Sequence, residues 1–392
     1  MTLAEQFDAI TVETLRERGS YKWTAYPNSI GMFVAEMDFG TAPVVDRALR
    51  TALDNNQFGY ISAPIARELS RATADYQQRR FGWSIAPQRV HPIADVLRGL
   101  EVVIEHFSAP GTPVIVPTPG YMPFLTVPGQ VGRAFIEVPL LNTGGRYEFD
   151  LDAIDAALAQ HPGALVVLCN PYNPTGRVLT TQELLAFSEV VERRGGRVFA
   201  DEIHAPLVYE GHLHVPYASV SEAAAAHSVT AVSASKAWNF PGLKCAQLVI
   251  TNDADAQIWS EVKGRLNHGP STIGMIANTA AYDHGQPWLD EVTEYLQGNW
   301  QLMQSFAAEH MPALRVTQPE GTYIGWLDWR GYDLGDTPAT LLREKAGVAL
   351  TAGTSCGQAG AGFTRIIFAT PRPILQNALE QLADAVSGCR TA

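Results

Sequence analysis

Ser233-Ala234-Ser235-Lys236-Ala237-Trp238-Asn239-Phe240-Pro241-Gly242-Leu243-Lys244 is the stretch on which the reading of this chain turns. It follows an apolar run, Val229 to Val232, that reads as a buried strand. Lys236 therefore sits just past a strand end, with hydroxyls at Ser233 and Ser235 beside it. Gly242 and a second cation, Lys244, follow. A lysine held there, with hydroxyls and a cation suited to a phosphate, suits a Schiff base with pyridoxal 5′-phosphate. Taken alone, the segment also reads as a surface lysine in a polar turn.

Outward from this stretch, residues from about Pro43 to Thr251 alternate apolar runs with helical periods. Strands are predicted at Val114–Val116, Phe135–Val138, Ala164–Leu168, Val198–Ala200, Val229–Ser233 and Gln247–Ile250. Helices are predicted at Val96–Phe107, Leu151–Gln160 and Gln182–Arg194, with Asp150 and Thr181 as N-caps. Such alternation implies an α/β fold: a large domain with a mainly parallel sheet covered by helices on both faces. Ligands in such sheets bind beyond the carboxyl ends of the strands. Past Thr251 the chain turns helical, with a long amphipathic stretch from Trp288 to His310. Strand-like runs at Leu314–Thr317, Tyr323–Leu327 and Arg365–Ala369 and a final helix at Ile374–Val386 read as a smaller α+β domain. The expected division is 1–42 as a segment on the small domain or an interface, 43–284 as the large domain, and 285–392 as the small one.

The bulk composition excludes several classes. A chain of 392 residues can bury a large core without disulfides or a structural metal. Its net charge of −12 argues against a nucleic-acid partner, whose phosphates demand a Lys/Arg excess. Cys169, Cys245, Cys356 and Cys389 form no CxxC pair, so no metal site is expected. No stretch is long enough to span a bilayer, and the start lacks a basic and apolar leader pattern, so no membrane partner and a cytoplasmic location are expected.

Three further segments join the lysine. Asn170-Pro171-Tyr172-Asn173-Pro174-Thr175-Gly176-Arg177 follows one predicted strand, and its prolines forbid regular structure. A rigid loop there can aim the Asn173 amide at a phenolate oxygen; it also reads as a tight turn without a ligand. Asp201-Glu202-Ile203-His204 follows another strand. A buried carboxylate needs a cationic partner, and a protonated pyridine nitrogen would serve. Asp201 also reads as a helix N-cap, and His204 as a packed histidine. Arg365, on a strand of the small domain, could reach the cleft and grip a carboxylate with its planar fork; it also reads as an edge-strand surface arginine.

Taken in order, these motifs resemble the fold-type I pyridoxal-phosphate enzymes, the aspartate aminotransferase superfamily, over essentially the whole chain. Lys22-Trp23-x-x-Tyr26-Pro27, the string Met32-Phe33-Val34-Ala35-Glu36-Met37-Asp38-Phe39, and Lys236 followed by an aromatic, Asn239 and Gly242-Leu243-Lys244 are similar to the MalY/PatB-type cystathionine β-lyases. The resemblance implies roles. Lys236 carries the cofactor and later acts as base at Cα. Asp201 pairs with the pyridine N–H, Asn173 bonds the ring's O3′, and Tyr121 stacks on the ring. Backbone N–H groups of Val96 and Leu97 meet the phosphate, with Ser233, Ser235 and Lys244 as side-chain partners and His204 near the cofactor. Tyr60 reaches the phosphate from a second subunit, which implies a homodimer with shared sites. Arg365 binds the substrate α-carboxylate, with Trp238 and Asn173 beside it.

Three positions depart from the family pattern. Asp95 stands next to the expected phosphate site and would repel it unless turned away. Trp238 replaces the usual Phe, and Glu36 the usual Asp. The implied activity is a carbon–sulfur β-lyase that releases a thiol, pyruvate and ammonia from L-cystathionine or another S-substituted cysteine. An aminotransferase using the same lysine, aspartate and arginine is the alternative, and a regulatory protein on the same scaffold a more distant one.

Overall fold

The computed structural model describes residues 1–266 and 269–389. Its largest sheet has seven strands: β1 (Val90–Ile93), β2 (Val114–Thr118), β3 (Phe135–Pro139), β4 (Leu165–Cys169), β5 (Arg197–Asp201), β6 (Ser228–Val232) and β7 (Ala246–Val249). Their spatial order is β1-β7-β6-β5-β4-β2-β3. From β3 through β6 all pairings are parallel, while β7 runs against both neighbours. The sheet is therefore mainly parallel with one reversed strand, as the alternating pattern implies. β1 is absent from the predicted strands. Pro92 lies in its middle, and a proline cannot donate to a ladder, so its place on the sheet edge is the tolerated one.

The strands are continuous apolar runs because both faces are covered. Leu165, Val167 and Cys169 of β4 pack with Val96, Leu100 and Val103 of the helix Val96–His106. The alternate residues Val166 and Leu168 pack on the other face, with Ile154 and Leu158 of Leu151–Gln160 and Leu184 and Phe187 of Thr181–Arg193. The period-two switch of faces along one strand is what forces a helix layer on each side. The N-cap of Thr181–Arg193 is Thr180, one residue before the predicted Thr181. Glu183 stands three residues past Thr180 and closes a capping box: Glu183 N–H donates to Thr180 Oγ1 at 3.2 Å, and Thr180 N–H to Glu183 Oε2 at 2.8 Å.

The second sheet is antiparallel, β8 (Arg315–Thr317), β9 (Ile324–Asp328), β10 (Thr351–Ala352) and β11 (Phe363–Ile367), in the order β8-β9-β11-β10. The helices Gln286–His310 and Arg372–Val386 cover it. The N-terminal residues belong to this body. Ile30–Gly31 pairs with Val348–Ala349, and Phe7, Trp23 and Met32 share a core with Leu289, Ile366 and Leu379. The next segment, Phe33–Asp38, therefore runs between the two sheets, where it meets the site. No helix among the described residues is long and apolar enough to cross a membrane.

Candidate active site

The carboxyl ends of β2, β4, β5 and β6 point to one place and deliver Tyr121, Asn173, Asp201 and Lys236 to it. Asp201 is the last residue of β5 and is buried. Its Oδ1 accepts from Ile203 N–H at 3.1 Å, so it closes a turn; no helix follows for it to cap. Among the described residues it has no cationic side chain in ion-pair contact. Burial pushes its carboxyl up to about 7, against the opposing pull of the Ile203 N–H and of Lys236. The Lys236 ammonium donates to the Ala35 carbonyl at 2.9 Å. Burial draws it down to about 8, and the nearby Arg365 cation adds to the effect.

Arg365 on β11 is almost wholly buried and has no carboxylate partner among the described residues. Its Nη1 donates to Asn173 Oδ1 at 3.1 Å and its Nη2 to the Phe33 carbonyl at 3.0 Å, while its Nε has no partner. A buried guanidinium held only by neutral oxygens is poised for an anion. The loop that presents Asn173 is pinned at Gly176, with φ +75°; a Cβ there would fall 2.5 Å from the Pro319 side chain. Only glycine fits that approach, which ties this loop to the Pro319–Gly321 turn before β9.

The cleft has two lobes that share Ala35, Tyr121 and Lys236. The inner lobe, of about 150 Å³, holds Asp201, Asn173, His204, Ser235 and the start of the helix Val96–His106. Among the described residues the Val96 and Leu97 N–H groups are without partners, as first-turn donors of a helix are, and offer an anion site with the positive end of the dipole. Asp95 does not oppose this. One of its oxygens caps the helix through Arg98 N–H, and the other holds Lys244 Nζ, both at 2.8 Å. His204 is buried with Nδ1 unpartnered among the described residues, and burial pulls its imidazole down to about 3, so it stays neutral at ordinary pH. An unpaired buried carboxylate, a first-turn anion cradle and a depressed lysine around one small cavity fit pyridoxal 5′-phosphate: Val96, Leu97, Ser235 and Lys244 would hold the phosphate, Asp201 the ring nitrogen and Lys236 the aldehyde carbon.

Three predicted residues stand elsewhere. Trp238 does not line the cleft. It is fully buried against Tyr76 and Tyr282, and its Nε1 donates to the Gly285 carbonyl at 2.9 Å, so the large apolar ring is taken by the core with its one donor satisfied. Gly285 has no side chain because a Cβ would strike that ring. Ser233 lies behind the lobe: its hydroxyl donates to the Cys245 carbonyl at 2.8 Å and contacts Ser235 Oγ at 2.9 Å, so it positions Ser235 rather than a ligand. Tyr60 is fully exposed on a loop and touches neither lobe within this chain.

Sequence reasoning also passed over the strap Phe33–Asp38 as part of the site. Its carbonyls hold both Arg365 and Lys236, and Tyr323 Oη donates to the Ala35 carbonyl at 3.2 Å. Asn239 fixes it, accepting from Met37 N–H and donating to the Met37 carbonyl, each at 2.8 Å. The signal lay in the two strings that carry the resemblance, Lys22-Trp23 and Val34-Ala35-Glu36-Met37-Asp38, whose spacing alone gives no geometry.

The family model for aminotransferase class I and II matches residues 27–382, and the chain belongs to that family. Within it the chain is 38% identical over 381 residues to a cystathionine beta-lyase of Corynebacterium glutamicum, covering 96% of this chain and 99% of that protein. It is 32% identical to the cystathionine beta-lyase PatB of Bacillus subtilis, covering 92% and 93%. A crystal structure of a candidate PLP-dependent beta-cystathionase from Corynebacterium diphtheriae superposes with a TM-score of 0.90 at 37% identity, covering 96% and 98%.

Proposed function

We propose that the protein is a pyridoxal-phosphate-dependent carbon–sulfur β-lyase that converts L-cystathionine, or a related S-substituted cysteine, and water to a thiol, pyruvate and ammonia. The observation that carries this reading is Lys236 between two buried, unpaired charges of opposite sign, Asp201 toward the inner lobe and Arg365 toward the outer. Full-length similarity to proteins named cystathionine beta-lyase supports the choice of lyase over aminotransferase.

When bound, the cofactor supplies an aldehyde to which the substrate nitrogen attaches and a ring that takes up the electrons of the Cα–H bond. Arg365 orients the amino acid by its α-carboxylate. Asp201 would pair its carboxylate with the ring nitrogen, in a buried place where that charge has its strongest effect. Lys236 would hold the aldehyde carbon and, as a free amine, would take the Cα proton of the substrate. Its lowered affinity for protons lets it act as base near neutral pH, and the proton it gains can pass to the departing sulfur. Tyr121 would support the ring face, and Asn173, held by Arg365, would couple the carboxylate site to the ring oxygen.

The domain reading extends this proposal: 43–284 binds the cofactor, and 285–392 with 1–42 closes the substrate side. We take the enzyme to work as a homodimer in the cytoplasm. Tyr60 and Phe58 stand exposed beside a groove that includes Lys244, where the partner's Tyr60 could reach this chain's phosphate site. The free cysteines suit a reducing compartment.

The test incubates the purified holoenzyme with L-cystathionine and no keto acid. Stoichiometric free thiol and pyruvate are expected. Pyridoxamine phosphate accumulating without thiol release would replace the lyase with the aminotransferase.

A further inference from the structure

The outer lobe, of about 520 Å³, is larger than an α-amino acid's reacting end requires, and its charge is one-sided. Its lining carries the cations Lys236, Arg365 and Arg343 and no Asp or Glu. Lys236 and Arg365 have work at the reacting carbon and the α-carboxylate. Arg343 has none in that scheme. It comes from the last turn of the helix Pro338–Ala346, half-buried, with its guanidinium 4.5 Å from the centroid of the Tyr26 ring. No carboxylate or carbonyl accepts from it among the described residues. The stack on Tyr26 fixes the plane of the fork and leaves its N–H edges free. Hydroxyls of Thr340, Thr351 and Ser355 share the lining, and Phe33 and Leu350 supply apolar wall between the ends.

We infer that Arg343, held flat by Tyr26, is a second carboxylate-binding site that receives an anionic group on the leaving-thiol side of the substrate. The inference rests on the lyase reading for the identity of the leaving group. It names the substrate class as S-(carboxyalkyl)cysteines and thioethers like them, with carboxylates at both ends. An amino-acid leaving group such as that of L-cystathionine qualifies by its distal carboxylate, and its ammonium finds no acid in this lobe. Thioethers with a neutral alkyl leaving group bind without the second contact.

The experiment uses the holoenzyme and two unreactive isosteres of S-(2-carboxyethyl)-L-cysteine. L-2-aminopimelate keeps the distal carboxylate, and L-2-aminoheptanoate replaces it with a methyl group. Binding is measured by calorimetry for the wild type, Arg343→Gln and Arg343→Lys. The wild type is expected to favour the aminopimelate by about tenfold or more, the size of one charge-assisted contact. Arg343→Gln should bring that ratio close to one, and Arg343→Lys should keep part of it. Because the ratio is taken within one protein, loss of folded material cancels. A wild-type ratio near one, or a preference unchanged in Arg343→Gln, overturns the subsite. Pyruvate release from L-cystathionine, followed in parallel, reports on the lyase reading separately: its absence sinks that reading while the binding ratio still decides the subsite.

Discussion

Lys22 and Asp38 form an ion pair closed to solvent on both sides, with Nζ 2.8 Å from Oδ2. The other carboxylate oxygen accepts from Trp23 Nε1 at 2.8 Å, and Lys22 Nζ also reaches the Glu36 carbonyl at 3.2 Å. Both ends of the strap Phe33–Asp38 are thus fixed, by this pair at one end and by Arg365 at the other. The strap's middle carbonyl, at Ala35, is the one that holds Lys236. An ion pair with no part in the chemistry therefore sets the position of the lysine.

Removing one partner of such a pair leaves the other charge buried and alone. Lys22→Met should destabilise the protein by about 3–5 kcal/mol, measured by urea unfolding of the holoenzyme. Loss below 1 kcal/mol would mean that water reaches Asp38 and that Arg365, Tyr323 and Asn239 hold the strap without the pair.

Asp201 gives a pH signature in the ligand-free protein. Its carboxyl is raised from 3.8 to about 7 because the folded chain buries it without a counter-charge. The folded state therefore holds this proton more tightly than the unfolded chain. The stability that the neutral acid contributes is full below 3.8 and is lost as pH rises through about 7. Asn carries no charge in this window. Relative to the wild type, ligand-free Asp201→Asn should gain in melting temperature as pH is raised from 4 to 8, although the same change should abolish turnover. Saturation with cofactor should shrink the gap, since a ring N–H opposite Asp201 gives the carboxylate its partner. A gap that stays constant with pH would show that Asp201 is already ionised in the ligand-free fold.

Much of the fold could be read from the sequence because both signals are local. Apolar runs alternating with helical periods mark the parallel strands, and Asn173, Asp201 and Lys236 each follow one of them directly. What was not legible depends on contacts far apart in the chain. β1 is short and carries Pro92, so only its pairing with β7 makes it a strand. The aromatic Trp238 follows Lys236 closely, yet it turns into the core because Tyr76, Tyr282 and Gly285, distant in sequence, form its slot. Asp95 looks hostile to an anion until the helix cap and Lys244 are seen to occupy its two oxygens. Arg343 carries no motif at all; its meaning comes from Tyr26 stacking on it across most of the chain.

The lowered proton affinity of Lys236 predicts how the ligand-free protein captures its cofactor. Only the neutral amine attacks an aldehyde. With the ammonium drawn down to about 8, the neutral fraction grows steeply up to that pH and little beyond it. The rate of holoenzyme formation from added pyridoxal 5′-phosphate, followed by the cofactor's absorbance, should therefore rise toward pH 8 and then level. A rate still climbing between pH 9 and 10 would place Lys236 near its ordinary range and remove burial as the cause.

Tyr60 bears on assembly. It is fully exposed, and its neighbour Phe58 is also open to solvent, so the loop offers aromatic surface that a monomer gains nothing by showing. In the two-fold dimer proposed above the contribution would be reciprocal: each chain would give its Tyr60 hydroxyl and receive the partner's Tyr60 beside Lys244. Tyr60→Phe removes that hydroxyl, and Arg365→Ala removes the carboxylate grip, so each homodimer should be nearly inactive. In a mixed dimer the protomer carrying Tyr60→Phe keeps its own Arg365 and receives an intact Tyr60. Random mixing should therefore restore about a quarter of wild-type pyruvate release, one good site in half of the dimers. If mixing restores nothing while exchange of subunits is verified by mass, Tyr60 serves its own chain; full activity in the Tyr60→Phe homodimer would show that it serves no site.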